Sequence, residues 1–468
     1  MVLQFTLNGE MREVSGVSPT MTVLDYLREN ASLTGTKEGC AEGDCGACTI
    51  VLAETVDGKP DYKAVNACLL MVPQLDGKHV FTVEGLSASD DLLDPVQDAM
   101  VKTDGTQCGF CTPGIVMSLF ALRQSEADVT EGEIHDTLAG NLCRCTGYRP
   151  IVDAAREACT AAPDGTAVET LSTNDEYQEG DQSFYAPKTI AEMAKLYAAI
   201  PDANLLGGGT DLGILVSKER EVLSTVIHTG RVAELLEINE TDNEITFGAA
   251  VTYSAALPYI ERLYPSFATL ITRIGSVQIR NAGTIGGNIG NASPIGDTPP
   301  CLIALEATLV LYSEAGEREL PIEEFFLDYR KTDLKAGEFI KTIRIPKLSK
   351  TQKFRSYKIS KRYDQDISAV VGAYRIELKG DTVSDARIAY GGMAAIPKRG
   401  VACEAALTGN IWDLATAMTM LGVIQEDYQP ISDHRASKEY RLQVAGNLFQ
   451  RLYHDLCGAD EALEVVAV

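Results

Sequence analysis

Eight of the chain's 12 cysteines stand in two sets of four whose spacing suits metal chemistry. Cys40, Cys45 and Cys48 follow a Cx4Cx2C pattern with Cys68 as a distant fourth member, the ligand spacing of plant-type 2Fe-2S ferredoxins. In the second set, Cys108 and Cys111 form a CxxC pair within Gln107-Cys108-Gly109-Phe110-Cys111-Thr112-Pro113-Gly114. Cys143 and Cys145 form a CxC pair within Asn141-Leu142-Cys143-Arg144-Cys145-Thr146-Gly147-Tyr148. Four thiolates gathered between helix ends hold a soft metal centre, zinc or an iron-sulfur cluster, rather than a hard cation. Zinc is the weaker alternative for the Cx4Cx2C set, because zinc sites usually come as paired short spacings. Gly39, Gly43 and Gly46 suit a loop that wraps a cluster, since glycine reaches positive φ and lets backbone N–H groups approach the sulfurs.

The compartment fits that chemistry. The segment Met1–Gly9 alternates apolar and polar residues and has no basic stretch followed by an apolar core, so no signal peptide is expected. No run of about 18 apolar residues is present to cross a membrane. A cytoplasmic location is expected, and there thiols serve metals more often than disulfides. Forty-one basic against 66 acidic residues give a formal net charge of -25, which argues against nucleic acid or an anionic membrane as partner. Cys301, Cys403 and Cys457 are expected as small buried hydrophobes, and Cys159 has no assigned role. No HExxH, GxSxG or P-loop occurs, so hydrolytic mechanisms have no foothold.

The positioning elements follow from periodicity and caps. Residues 2–7 alternate as a strand, and Asn8-Gly9 marks a hairpin turn leading into Met11–Val14. Thr22–Asn30 reads as a short helix capped by Thr22 with Asp25 at the capping-box position. From Asp94 to about Ala161 the pattern is helical: one helix from Asp94-Pro95, one capped by Thr112 with Pro113 at its first position, one from the Thr130/Glu133 capping box to Gly140, and one from Pro150 to about Cys159. The expected organisation is α+β and multidomain. A β-grasp ferredoxin-like domain covers 1–85, a four-helix 2Fe-2S domain 86–160, a linker 161–182, a mixed domain 183–347 and a C-terminal α+β domain 348–468.

Within 183–347, Gly207-Gly208-Gly209-Thr210-Asp211 follows the strand Asn204–Leu206, and bare backbone there suits a pyrophosphate. The GxGxxG spacing of a Rossmann loop is absent. A second polar glycine loop, Arg280–Asp297, allows the domain to hold both halves of a dinucleotide. Cys301–Tyr312 and Phe339–Ile345 read as strands.

Together these motifs resemble the xanthine oxidase family of molybdenum hydroxylases, in the order iron-sulfur, iron-sulfur, FAD. The resemblance implies a FAD domain of the vanillyl-alcohol-oxidase (PCMH) type. It also implies a separate small subunit, in a heterotetramer of two small and two large chains whose large subunit carries the molybdopterin. Xanthine or hypoxanthine would be hydroxylated there, with electrons passing through this chain to NAD. By the same resemblance Cys108, Cys111, Cys143 and Cys145 hold the cluster nearest the pterin, with Gln107 against it. Cys40, Cys45, Cys48 and Cys68 hold the relay cluster. Leu205, Leu206, Gly207, Gly208, Gly209, Thr210, Asp211 and Leu212 would meet the FAD diphosphate, Thr284, Gly287, Asn288 and Asp297 its ribityl and adenosine side, and Ile340 and Lys358 the rim. Ile274 stands where vertebrate members carry a phenylalanine near the flavin. Relatives acting on aldehydes, CO, quinoline or aromatic acyl-CoA share the motifs, and a stand-alone iron-sulfur flavin reductase is the remaining alternative.

Overall fold

A computed structural model describes residues 2–56, 58–87, 92–125, 129–160 and 168–457. The chain divides into two compact units, residues 1–193, 202–232 and 275–283 in the first and 194–201, 233–274 and 284–468 in the second. No helix among the described residues is long and apolar enough to cross a membrane.

The first unit opens with a five-stranded sheet in the order Glu10–Val14, Leu3–Leu7, His79–Phe81, Thr49–Val56, Lys59–Asn66. Asn8 (φ 53°) and Gly9 (φ 84°) make the expected hairpin turn, both in the left-handed region. Thr22 caps the following turn, its hydroxyl accepting from Asp25 N at 3.0 Å, and the helix loosens into a π-type turn over Tyr26–Asn30. Phe5, Leu27, Ile50, Val72, Leu75 and Val80 are fully buried beneath the sheet.

Four helices follow, at Pro95–Lys102, Thr112–Ser125, Glu131–Ala139 and Arg149–Ala158. The last buries Ile151, Ala154, Ala155 and Ala158, a stripe at helical spacing. Thr112, expected as a cap, is instead the first helical residue, and its hydroxyl shares a 2.7 Å hydrogen bond with that of Thr106. Asp94 does two things at once. It caps the first helix by accepting from Val96 N at 2.8 Å, and it pairs with Arg123 at 3.2 Å, where both side chains are buried. The unit also contains a four-stranded sheet in the order Glu176–Glu179, Gln182–Tyr185, Thr225–His228, Asn204–Leu206. The expected linker 161–182 therefore ends in a strand, because Tyr177 is an apolar residue buried by pairing with Phe184. Its residues 161–167 lie outside the described set.

The second unit holds a five-stranded antiparallel sheet ordered Ile238–Glu240, Glu244–Gly248, Phe339–Pro346, Thr308–Ser313, Gly316–Pro321, and a four-stranded one ordered Gln352–Ile359, Val370–Lys379, Thr382–Gly391, Lys398–Arg399. Two corrections arise here. Cys301 lies in the helix Thr298–Ala304, not in a strand, because Pro299 and Pro300 start a helix and Leu305 ends it before the strand begins. The glycine-rich stretch 280–297 is largely helical, as Val277–Ala282 and Ile285–Gly290, and its first part belongs to the first unit. Serine and threonine caps explain the helices: Ser276 Oγ accepts from Ile279 N, and Thr284 Oγ1 from Gly287 N. Cys301 and Cys403 are buried as expected, while Cys457 is exposed at the end of the helix Lys438–Cys457.

Replacing Asp94 by alanine strips a helix cap and removes the buried carboxylate that Arg123 meets at 3.2 Å. Urea denaturation followed by circular dichroism should record a loss of about 3–5 kcal/mol for the helical segment; a loss below about 1 kcal/mol would mean the pair carries only surface-type strength.

Candidate metal centres and glycine loops

In the loop 36–48, Ala41 (φ 56°), Gly43 (φ 83°) and Gly46 (φ 66°) turn the backbone inward around the thiols. Backbone N–H groups of Glu42 and Cys45 point at Cys40 Sγ, each at 3.4 Å. Cys48 Sγ lies 3.3 Å from Cys68 Sγ and also accepts from Asn66 Nδ2 at 3.7 Å. Cys45 donates to Cys40, and with these backbone donors it holds the Cys40 thiol down at about 6 against burial. A thiolate forms readily in such a setting.

The second set repeats the arrangement. The thiol of Cys145 donates to Cys108, and that of Cys111 to Cys143. Burial and the Cys143 hydrogen bond push Cys111 up to about 12. Cys143 lies below its usual value although burial opposes this, because Thr146 and the Cys145 backbone donate to its sulfur. Tyr148, at φ 70°, locks the CxC turn by accepting from Cys143 N at 2.7 Å and donating to Asn141 O at 3.0 Å.

The sulfurs therefore pair: Cys40 with Cys45, Cys48 with Cys68, Cys108 with Cys145, Cys111 with Cys143. Among the described residues no group of three or more His, Cys, Asp or Glu side chains is arranged to hold a single metal ion. Two pairs per set suit a binuclear centre, one pair for each iron, better than the tetrahedron that zinc requires. Exposure also differs between the sets. Cys108 and Cys145 are exposed, next to exposed Phe110 and Leu142, whereas Cys48 and Cys68 are buried.

Within the first unit the glycine loop sits directly beyond Cys68. A Cβ on Gly209 would lie 2.9 Å from Leu69 O, and one on Gly213 only 2.4 Å from it. Gly208 faces the Ala282 carbonyl, where a Cβ would be 1.6 Å from the oxygen. Only glycine permits these approaches. Below the loop, His228 Nδ1 lies 3.1 Å from Leu206 O with its ring against Phe184. Burial, aided by Arg231 and Lys78 and opposed by the Leu206 hydrogen bond, depresses its pKa to about 4.

In the second unit, Gly286 is packed on Ala249, where a Cβ would fall 2.5 Å from the alanine's own Cβ. Asn288 Oδ1 accepts from Thr298 Oγ1 at 2.8 Å. Asp297 accepts from Lys358 Nζ and from Ser368 Oγ, both at 2.6 Å, and Lys358 also donates to Arg273 O at 2.8 Å. Ile340 is buried, and Ile274 packs partly buried on the same core. The expected flavin residues are thus divided, Leu205–Leu212 in the first unit and Ile274, Thr284, Gly287, Asn288, Asp297, Ile340 and Lys358 in the second.

Four family models match the chain in order. They are a 2Fe-2S iron-sulfur cluster binding domain over 5–72, a second 2Fe-2S binding domain over 82–156, the FAD binding domain in molybdopterin dehydrogenase over 176–348 and the CO dehydrogenase flavoprotein C-terminal domain over 355–456. The chain is 33% identical to a xanthine dehydrogenase of Emericella nidulans and 32% identical to xanthine dehydrogenase 1 of Arabidopsis thaliana, each over 98% of its length. It spans only 39% and 40% of those two relatives. Among solved structures, a carbon monoxide dehydrogenase from Hydrogenophaga pseudoflava that lacks the Mo-pyranopterin moiety is 29% identical with a TM-score of 0.53, covering 57% of this chain and 94% of that one. Quinoline 2-oxidoreductase from Pseudomonas putida 86 is 27% identical with a TM-score of 0.54, covering 60% and 98%.

The paired thiols predict that the purified chain contains iron and acid-labile sulfide in equal amounts; zinc without sulfide would overturn the binuclear reading. His228 predicts a pH dependence. Its native pKa lies below the ordinary 6.5, so the unfolded chain binds the proton first. Stability should be fully present above about pH 6.5 and fall as the pH drops toward 4, and His228→Asn should flatten that part of the curve in urea titrations.

Proposed function

The chain is the iron-sulfur and FAD portion of an oxidoreductase of the xanthine oxidase family of molybdenum hydroxylases, and on that footing we propose that it is the electron-transfer subunit of a xanthine dehydrogenase. Its partner is a molybdopterin-bearing large subunit, in a complex of two small and two large chains, and its electron acceptor is NAD. The observation that carries this reading is the match over 98% of the chain to proteins named xanthine dehydrogenase.

The clusters supply one-electron steps, and the flavin supplies the exchange between single electrons and a hydride. The protein's part is to hold these groups in order and tune their surroundings. Cys108, Cys111, Cys143 and Cys145 hold the cluster nearest the partner, for which the exposure of Cys108 and Cys145 beside Phe110 and Leu142 is the support. Gln107 stands against the pterin side. Cys40, Cys45, Cys48 and Cys68 hold the relay cluster, in keeping with the burial of Cys48 and Cys68 and with the packing of Leu69 under the glycine loop. Leu205–Leu212 serve the FAD diphosphate through backbone N–H groups. Thr284, Gly287, Asn288 and Asp297 serve the ribityl and adenosine side, and Ile274, Ile340 and Lys358 the rim. The Lys358–Asp297 ion pair would hold that rim rigid, being buried and further bonded to Ser368 and Arg273.

The matches to carbon monoxide and quinoline enzymes favour a second reading, in which the partner acts on one of those substrates. Isolation of the complex decides between them. Xanthine-dependent reduction of NAD by the complex is the expected result, and turnover of quinoline or CO with none of xanthine would replace the first reading by the second. Cys145→Ser should remove or alter the exposed-set cluster and abolish xanthine-dependent NAD reduction, while flavin content and NADH-to-dye activity stay largely intact. Selective loss of flavin and of the buried-set cluster would show that the two sets are assigned in reverse.

A further inference from the structure

Between the two cysteine sets lies a buried polar cluster that neither set requires as ligand. Gln278, 1% exposed on the helix Val277–Ala282, brings its Nε2 to 3.0 Å from Ser118 Oγ, 3.2 Å from Thr49 Oγ1 and 3.3 Å from Asn141 Oδ1. Each of these acceptors is tied to a cysteine loop. Thr49 follows Cys48 directly, Asn141 precedes the CxC turn, and Ser118 lies on the helix that Cys111 leads into. Asn141 closes the network by donating from Nδ2 to Gly46 O at 3.0 Å, and Gly46 stands between Cys45 and Cys48. Ser118 in turn donates to Asn141 Oδ1 at 2.7 Å.

The surroundings allow little freedom. A Cβ on Gly114 would lie 2.2 Å from Gly46 O, and one on Gly140 would lie 2.1 Å from Gln278 Oε1. That oxygen is buried and has no hydrogen-bond partner among the described residues. The same helix is fixed from outside by Arg280, whose guanidinium meets both carboxylate oxygens of Asp136 at 2.6 Å, and by Asn281 Nδ2, which donates to Ala64 O at 2.9 Å.

We propose that Gln278 is a positioning residue for electron transfer, its amide tying the Cys48 loop, the Cys111 helix and the Cys143 loop into one fixed spacing between the two clusters. Tunnelling falls off exponentially with separation, so a tie that holds two loops in van der Waals contact sets the coupling between the centres they carry. The inference rests on both sets holding 2Fe-2S clusters.

The test uses the full chain with its cofactors. Gln278→Met keeps length and volume but deletes the donor, and Ser118→Ala removes one acceptor at little steric cost. Each variant is assayed for iron, acid-labile sulfide and flavin, then fully reduced for electron paramagnetic resonance, with the midpoint potential of each cluster measured. The expected result is unchanged cofactor content with narrowing or loss of the intercluster interaction splitting, more marked in Gln278→Met, and no further effect of Ser118→Ala in the double variant. Loaded variants whose splitting and potentials match the unsubstituted chain would overturn the proposal. If Gln278→Met does not fold, Ser118→Ala alone decides by the same criterion. An unsubstituted chain with no signals from two clusters would overturn the cluster reading and this inference with it.

Discussion

The first unit depends on backbone meeting backbone with no side chain between. At Gly46, Gly114 and Gly140 the ferredoxin-like loop and the helical segment approach so closely that a single methyl group on any of them would overlap a neighbour. The same holds where Gly208, Gly209 and Gly213 rest on Ala282 and Leu69. Glycine carries an entropic penalty in folding, and here that penalty is offset by contacts between loops that must bring redox groups near one another. Burial around them does the rest: the sheet and the four helices each bury an apolar face, and the loops inherit the rigidity of both.

The thiols show how environment divides roles among chemically identical side chains. Paired sulfurs in both sets receive backbone and hydroxyl donors that favour the thiolate, while burial pushes the other way. In both sets one thiol of each pair is lowered and its partner raised, while access to solvent differs. Exposed Cys108 and Cys145 stand at a surface with apolar neighbours, and buried Cys48 and Cys68 stand within the core beside the glycine loop.

Much of this was legible in the sequence because it is local. The Cx4Cx2C, CxxC and CxC spacings, the Asn8-Gly9 turn, and the Thr130/Glu133 capping box each act over a few residues, and each appears where periodicity and capping rules put it. What escaped was non-local. Gln278 gives no signal in its own neighbourhood, since its three partners come from positions 49, 118 and 141. Asn141, Thr146 and Tyr148 flank the CxC pair, and that proximity is the only local sign of their part in the turn. The strand Glu176–Glu179 was hidden by a polar composition that only edge pairing tolerates. Around Cys301, alternation of apolar residues cannot tell a short buried helix from a buried strand.

The helix Val277–Ala282 has a consequence for how such a protein can be divided. In chain order it lies deep within the flavin-binding half, yet it belongs to the unit that carries the cysteines. A gene broken between the iron-sulfur and flavin segments would therefore separate Arg280 from Asp136 and Gln278 from Asn141. What is now internal packing would become the adhesive surface between two polypeptides. Fission of this chain is thus chemically permissible only along a line whose two sides already know how to bind, and residues 275–283 mark where that recognition would lie.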